Sequence, residues 1–277
     1  MVKSLLIMSR PINVLIAIFS VLITSFILKQ DFCSKTIFFT SIVVAGFTVF
    51  SNIINDIFDV KTDRINSPNK PLPSGKITIQ NAIIFATLVL ILSTIATFQL
   101  NENAKNLVIF IVFPIIITYT PVFKSVPLFG NILIGSILGC VFLFSELSLL
   151  GKINYLWIPA LLATHLTVLR ELLKDIEDHD GDFNAGIITF PVCFGIDHSL
   201  RLFFILSLIL LVWAGGLPFY FEVNQYYLPI FWTIFSPWLF IVLFFLFWKK
   251  TNNYHLISNL LKVATIFGLG AIITFRF

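Results

Sequence analysis

Carboxylate and amide side chains gather in two short windows of this 277-residue chain. The first window runs from Asn55 to Pro68, and the second runs from Asp175 to Asp182. Of the 14 acidic residues, eight lie in these windows: Asp56, Asp59, Asp63, Asp175, Glu177, Asp178, Asp180 and Asp182. Carboxylates beside long apolar stretches are costly and usually functional. The two windows are therefore the first candidates for a site of chemistry.

Helical spacing places most of these side chains on one face in each window. Asn55, Asp59 and Asp63 fall within an arc of roughly 80° on a helix. The first helix is expected to continue unbroken through this stripe until the prolines after it. Gly181 is expected to loosen the end of the second helix. The second stripe has the spacing i, i+4, i+7, i+11 and consists of Glu171, Asp175, Asp178 and Asp182.

Oxygen ligands in this number suit a hard divalent cation. Mg²⁺ normally takes one or two carboxylates together with phosphate oxygens of a substrate. Two facing stripes therefore predict about two or three Mg²⁺ ions that bridge to one pyrophosphate. The predicted metal ligands are Asn55, Asp59, Asp63, Asp175, Asp178 and Asp182. The cations expected to neutralise the remaining phosphate charge are Arg64, Lys70, Lys124 and Lys174.

The composition is that of an integral membrane protein. Hydrophobic residues make up 58% of the chain and charged residues only 12%, against about 25% charged residues in a soluble domain. The three cysteines have no metal-ligand spacing, and no nucleic-acid partner is expected. We predict one transmembrane domain over residues 1–277.

Nine stretches are long enough to span a bilayer, because a helix needs about 20 residues to cross about 30 Å. The predicted fold is all-α, with nine helices bundled around a central cavity. Both windows follow even-numbered spans, so they lie on the same side of the membrane. The spans are 11–28, 36–56, 80–99, 105–122, 130–149, 154–174, 199–217, 228–248 and 258–276.

The basic residues are divided unevenly between the two sides. One side receives Lys3, Arg10, Lys61, Arg64, Lys70, Lys76, Lys124, Arg170, Lys174, Arg201, Lys249 and Lys250. The other side receives Lys29, Lys35, Lys105, Lys152 and Arg276. Because cytoplasmic loops carry the excess of Lys and Arg, the N-terminus and the polar site are predicted to face the cytoplasm, in a protein of the cell membrane.

The two windows resemble the motifs of the UbiA superfamily of intramembrane prenyltransferases. Nine spans with motifs after spans 2 and 6 is the family arrangement, so the resemblance covers the whole chain. Lys70 stands where the family commonly has Arg, which keeps the charge and loses bidentate geometry. The first motif is matched by Asn55, Asp59, Asp63, Asn66, Pro68 and Pro71, and the second by Lys174, Asp175, Asp178, Gly181 and Asp182.

Four further stretches look like the ether-lipid enzymes of the superfamily: residues 10–13, 66–75, 119–124 with 130–131, and 170–178. This resemblance implies Mg²⁺-dependent transfer of a geranylgeranyl group from its diphosphate to geranylgeranylglyceryl phosphate. The acceptor would need its own cations, for which Arg10 or Lys76 is expected. The segment 188–191 departs from a commoner Arg-Thr-Leu-Pro, so one basic group is missing there.

The resemblance also implies roles for individual residues. The expected catalytic residues are Asp59, Asp63, Asp178 and Lys124. The expected substrate-binding residues are Arg10, Asn13, Asn55, Arg64, Lys70, Tyr119, Asn131 and Lys174. The expected partners are a polyprenyl diphosphate, a lipid or aromatic acceptor, and the membrane lipid itself.

Two alternatives remain open on sequence. The first is prenylation of an aromatic acceptor of the 4-hydroxybenzoate, homogentisate or naphthoate type in quinone synthesis, because acceptor choice depends on pocket shape. The second is a cation-coupled transporter. Transporters place ionisable groups near the bilayer midplane on broken helices, whereas the acids here lie at the ends of spans, which favours the enzyme.

Overall fold

The computed structural model describes residues 1–221, 223–249, 251 and 253–275. All regular structure in these residues is helical, as predicted. Helices α6 and α12 contain π-helical turns, and α11 ends in a 3₁₀ turn. In chain order the helices are α1 (Val2–Ser9), α2 (Pro11–Ile27), α3 (Lys35–Phe58), α4 (Val60–Asn66), α5 (Ile79–Thr97), α6 (Glu102–Phe123), α7 (Phe129–Leu150), α8 (Trp157–Glu177), α9 (His179–Ala185), α10 (Phe190–Phe194), α11 (Ile196–Phe219), α12 (Tyr227–Trp248) and α13 (Tyr254–Ile272).

Seven helices of the described chain are long and apolar enough to cross a membrane: α3, α5, α6, α7, α11, α12 and α13. Helices α1 and α2 together make an eighth candidate, bent by 51°. The sixth predicted span, 154–174, coincides with α8, whose last turns carry Arg170, Glu171 and Lys174. Because of these charges, α8 is not among the seven helices that are apolar enough to cross a membrane. Lys250 and Arg276, which entered the orientation argument, lie outside the described residues.

The bend between α1 and α2 is built from two adjacent residues. Arg10 has a left-handed backbone with φ of 49°, which ends α1. Pro11 then begins α2, where its fixed φ suits the first helical position and its missing N–H costs no hydrogen bond. The bend therefore follows from the local sequence, and it directs the Arg10 side chain towards α3.

Each motif helix breaks at an aspartate. Helix α3 ends at Phe58 and α4 begins at Val60, with Asp59 between them. The prediction of one unbroken helix through Asp63 was therefore wrong. In the second motif the break lies at Asp178, between α8 and α9, and not at Gly181, as the sequence suggested. In both motifs a short helix therefore follows the long one after a single interrupting aspartate.

Helices α7 and α8 pack closely because of glycine. A Cβ added at Gly139 would lie 2.4 Å from the carbonyl oxygen of Ala160 and 2.2 Å from the hydroxyl of Thr164. A Cβ at Gly135 would lie 2.9 Å from the carbonyl oxygen of Thr164. Small residues let helix backbones approach in this way. The contact fixes the position of α8, which carries the second motif at its end.

Buried apolar residues form two clusters. One centres on α8 and on α11 to α13 and includes Leu169, Leu172 and Phe203. The other centres on α2, α3 and α5 and includes Val21 and Ile53. Helix α3, which carries the first motif, belongs to one cluster and α8 belongs to the other. The two motifs therefore face each other across the space between the clusters.

Candidate active site

A cavity of about 190 Å³ lies between the two clusters. Its inner wall is apolar and includes Val43, Phe47, Ile116, Phe142 and Phe144. We call the opposite end, where the two motifs meet, the polar end. Ten of the residues singled out on sequence line it: Arg10, Asn13, Asn55, Asp59, Tyr119, Lys124, Lys174, Asp175, Asp178 and Asp182. One volume thus joins a carboxylate-rich end to a hydrocarbon-like interior.

Four further predicted residues do not line the cavity. Asn131 lies behind it and donates a hydrogen bond from Nδ2 to Oδ2 of Asp175 at 2.7 Å, which orients that carboxylate. Asp63 accepts from Nζ of Lys70 at 2.7 Å, just outside the lining. Arg64 is exposed on α4, one residue past Asp63 and rotated off its face. The structure therefore does not bring Arg64 to the cavity.

The first motif is tied to the α6–α7 connection. Nζ of Lys124 donates to Oδ1 of Asp59 at 2.5 Å, and both side chains are less than one-fifth exposed. The hydroxyl of Thr120 donates to Oδ1 of Asn55. The π-helical turn Tyr119–Phe123 presents this end of α6 to α3. Thr120 was missed on sequence, because nothing in the spacing of α6 marks a π-helical turn.

Asp56, which points away from the aspartate stripe, is the partner of Arg10. A guanidinium nitrogen of Arg10 lies 2.6 Å from Oδ1 of Asp56, whose side chain is 7% exposed. Asn52 adds a second tie, donating from Nδ2 to the carbonyl oxygen of Ser9 at 3.1 Å. These contacts hold the α1–α2 bend against α3 and keep Arg10 at the cavity wall.

The residues fit Mg²⁺ that is completed by phosphate oxygens, and not a cage made by protein alone. Within the described residues, no group of three or more His, Cys, Asp or Glu side chains could hold a metal. Oδ2 of Asp63 is buried and has no hydrogen-bond partner there. Burial raises the pKa of Asp182 to about 6. A divalent cation would satisfy the oxygen and favour the charged carboxylate.

Arg170 also lines the cavity and was missed as a site residue. It lies four residues before Lys174 on α8, so the helical period puts both cations on one face. That spacing was a usable signal, but Arg170 entered only among the charges that orient the chain and in the stretch 170–178, with no role at the site. Arg170 therefore adds positive charge to the cavity wall, one helical turn before Lys174 of the second motif.

The UbiA prenyltransferase family matches residues 14–261. The digeranylgeranylglyceryl phosphate synthase of Methanosphaera stadtmanae is 30% identical over 271 residues, which are 95% of this chain and 97% of that protein. The synthase of the same name from Methanobrevibacter smithii is 37% identical over 194 residues, 67% of each chain.

Solved structures agree with these matches. A structure of digeranylgeranylglyceryl phosphate synthase gives a TM-score of 0.71 at 28% identity, covering 98% of this chain and 97% of that one. A UbiA homologue from Archaeoglobus fulgidus bound to DMAPP and Mg²⁺ shares the fold, with a TM-score of 0.68 at 20% identity over 97% and 99% of the chains. With seven apolar helices, these matches confirm the prediction of a multi-pass membrane prenyltransferase: the chain belongs to the UbiA prenyltransferase family.

Proposed function

We propose that this protein transfers a geranylgeranyl group from its diphosphate to geranylgeranylglyceryl phosphate, a step of ether-lipid synthesis that needs Mg²⁺. The observation that carries the proposal is the cavity, which joins two aspartate motifs to an apolar interior. An allylic diphosphate has the same two parts, a strongly charged head and a long hydrocarbon tail. Identity of 30% to a digeranylgeranylglyceryl phosphate synthase along nearly the whole chain supports the choice of acceptor.

The polar end would hold the donor's diphosphate. Mg²⁺ bound there would neutralise charge that develops on the leaving pyrophosphate. The residues assigned to the metal are Asn55, Asp59, Asp63, Asp175, Asp178 and Asp182. Lys124 lies beside Asp59, where its ammonium group would also bind a phosphate oxygen. Thr120 and Asn131 would act through their neighbours, since each fixes the orientation of an assigned ligand, Asn55 or Asp175.

The apolar wall would protect the reacting carbon. The bond between C1 of the donor and its diphosphate oxygen breaks, and the electron pair leaves with pyrophosphate. The acceptor's hydroxyl oxygen then bonds to C1 and gives its proton to an oxygen of the departed pyrophosphate. A carbocation-like C1 would be trapped by water in an open site. Phe47, Phe142 and Phe144 on the inner wall exclude that water.

The membrane arrangement is part of the same proposal. Counting the bent α1–α2 pair as one span and α8 as another adds two to the seven apolar helices, for nine spans in one domain over residues 1–277. The excess of Lys and Arg on one side supports a cytoplasmic polar end in the cell membrane. Both substrates would then reach the site from the inner leaflet, with their tails in the cavity.

Product formation by the purified protein tests the proposal. Radiolabelled geranylgeranyl diphosphate and Mg²⁺ are supplied with geranylgeranylglyceryl phosphate, or in parallel with 4-hydroxybenzoate or homogentisate, and EDTA serves as the metal control. We expect label in the glycerophosphate product alone, and none with EDTA. Label in an aromatic product would move the protein to quinone synthesis. Full turnover in EDTA would refute the metal assignment.

A further inference from the structure

Four cationic side chains line the cavity in the described part of the chain, and only two of them have a close carboxylate partner. Arg10 is paired with Asp56 at 2.6 Å. Lys124 is paired with Asp59 at 2.5 Å. Both distances are those of charge-assisted hydrogen bonds. The charges of these two cations are therefore compensated by the first motif helix.

The other two cations, Arg170 and Lys174, share a single carboxylate. A guanidinium nitrogen of Arg170 lies 3.6 Å from Oε1 of Glu171, and Nζ of Lys174 lies 3.9 Å from Oε2. Both distances exceed those of a good hydrogen bond. Nε of Arg170 is buried and has no hydrogen-bond partner among the described residues. Buried donors without an acceptor are rare in folded proteins, so an acceptor belongs here.

Further positive charge faces this pair from neighbouring helices. Arg10 interacts electrostatically with Lys174 and Glu171 from the α1–α2 bend. Lys262 on α13 interacts electrostatically with Arg170 and Lys174. Glu171 is the one carboxylate within 4 Å of either cation in the described chain. Lys174 also interacts with Asp178 and Asp59 of the two motifs, so the part of the wall that favours an anion from the cavity is the part at Arg170.

Arg170 lies apart from the site assigned to the donor, and Lys174 stands between it and the aspartates of the second motif. Arg170 precedes Asp175 by five residues, about 7.5 Å along the helix axis towards the apolar interior. A diphosphate bound at the two motifs would repel a second anionic headgroup in the same place. Arg170, more than one turn deeper in the cavity than Asp175, allows that headgroup to bind beside the reacting end of the donor, with Lys174 between the two anions.

We infer that Arg170 and Lys174 bind the anionic headgroup of the acceptor and that Glu171 balances their charge until it arrives. Under the proposed function, on which the nature of the headgroup rests, it is a phosphomonoester. This assignment replaces the expectation that Arg10 or Lys76 serves the acceptor, and it gives Lys174, first expected at the donor's diphosphate, to the acceptor. Arg10 is held by Asp56, and Lys76 is exposed and lies near the carbonyl oxygen of Asn69 at 3.4 Å.

Equilibrium binding without donor tests the inference independently of turnover. Affinities are measured in detergent for geranylgeranylglyceryl phosphate and for the same lipid without its phosphate. The wild type should prefer the phosphorylated lipid at least tenfold. Arg170→Gln should bring that preference to within twofold. Arg201→Gln is the matched control, since Arg201 is exposed and is absent from the cavity lining, and it should keep the full preference.

A second variant separates ligand binding from a merely structural role. Glu171→Gln removes the competing carboxylate, so it should tighten binding of the phosphorylated lipid severalfold and leave the unphosphorylated lipid unchanged. If Glu171 were needed only for folding, Glu171→Gln would weaken binding of the phosphorylated lipid or leave it unchanged. If Arg170→Gln does not fold, Lys174→Gln should show the same loss of preference, and Arg170→Lys should restore part of it.

Two results would overturn the inference. One is equal affinity of the wild type for both lipids, and the other is a preference in Arg170→Gln equal to that in Arg201→Gln. A different result separates the inference from the proposed function. If Arg170→Gln loses the preference for the phosphorylated lipid but the wild type forms no ether product, the inference holds and the proposed function fails. In that case 4-hydroxybenzoate tests the same cations with a carboxylate, and its KM should rise at least tenfold in Arg170→Gln and stay unchanged in Arg201→Gln.

Discussion

Asn66 joins the two aspartate motifs directly. Its Nδ2 donates to the main-chain oxygen of Asp178 at 3.0 Å and to Oδ1 of the same residue at 3.2 Å. Gly181 lies opposite, and a Cβ there would come within 2.2 Å of Nδ2 of Asn66. Helices α4 and α9 can pack together because position 181 has no side chain. One amide therefore helps to set the distance between the motifs across the polar end.

Replacing Asn66 by Asp should weaken catalysis without unfolding the protein. The new carboxylate would face the two oxygens of Asp178 that the amide now binds, and the motifs would move apart. Loss of a residue that orients a metal ligand typically costs about 10–100-fold in metal affinity or activity. We expect a loss in that range, together with a higher Mg²⁺ concentration for half-maximal rate, measured by titrating Mg²⁺ in the product assay.

Two further variants test whether the effect comes from the contact between Asn66 and the second motif. Gly181→Ala should show the same rise in Mg²⁺ requirement, because its methyl group would displace Asn66. Asn69→Ala is the matched control, since Asn69 is exposed in the same connection. Normal Mg²⁺ titrations for both Asn66→Asp and Gly181→Ala would show that the motifs do not depend on this contact.

Asp59→Ala should abolish turnover while the protein still folds. Its side chain is paired with Lys124 at the polar end, and its removal would take away both a proposed metal ligand and the partner of the cation proposed to bind phosphate. Losing several kcal/mol of charge stabilisation corresponds to a rate loss of at least roughly 100-fold. Asp180→Ala is the control, because that side chain is 89% exposed. Retained activity in Asp59→Ala would refute its role.

The helical periodicity predicted which residues meet at the polar end, but not how they meet. Ten of the residues singled out line one cavity, because carboxylates at helical spacing must share a face. Neither helix break was foreseen, since Asp59 and Asp178 are neither proline nor glycine. The breaks accompany contacts with distant residues, Lys124 in one motif and Asn66 in the other. Contacts between residues far apart in sequence leave no local pattern.

Arg64 and Arg170 show that closeness to a motif in sequence does not identify which cations reach the cavity. Arg64 belongs to the first motif window, yet a single step of about 100° along α4 puts it on the exposed face. Arg170 lies outside the acidic windows, yet its position four residues before Lys174 places it in the cavity. Proximity to a motif is therefore a weaker guide to the site than the face of the helix.

Glu146 is expected to stabilise the fold rather than to act in catalysis. It is fully buried near the end of α7 and accepts hydrogen bonds from the main-chain nitrogens of Asn154, Tyr155 and Leu156 at 3.1, 2.9 and 3.0 Å. The donor at Leu156 is buried, and a buried donor that loses its acceptor costs about 1–3 kcal/mol. Glu146→Ala should therefore lower the thermal midpoint in detergent, and Glu146→Gln should lower it less.

The control for Glu146 is Glu102→Gln, because the Glu102 side chain is 77% exposed and paired only with Lys105 nearby. At a temperature where the variants are folded, KM values for both substrates should match those of the wild type. A Glu146→Ala variant with an unchanged midpoint would contradict the assigned role. A selective loss of turnover in a stable variant would place Glu146 in catalysis instead.

Gly139→Ala tests whether the close contact of α7 and α8 positions the second motif. In an exposed helix interior, alanine is favoured over glycine by about 1 kcal/mol. At Gly139 the added methyl group would lie 2.4 Å from the carbonyl oxygen of Ala160, and overpacking of this kind costs about 1–3 kcal/mol. Since the clash is with backbone, it should outweigh the propensity, so we expect a lower thermal midpoint and reduced turnover as α8 shifts.

Gly270→Ala is the matched control for this test, because among the described residues no atom beyond its chain neighbours and its own helix backbone lies within 4 Å of a Cβ there. Its midpoint should be unchanged or slightly raised, as propensity alone predicts. The two variants differ only in what the new methyl group meets. If Gly139→Ala were as stable and as active as Gly270→Ala, α8 would have room to move at this contact, and the position of Asp175 and Arg170 would have to be fixed by α11 and α13 instead.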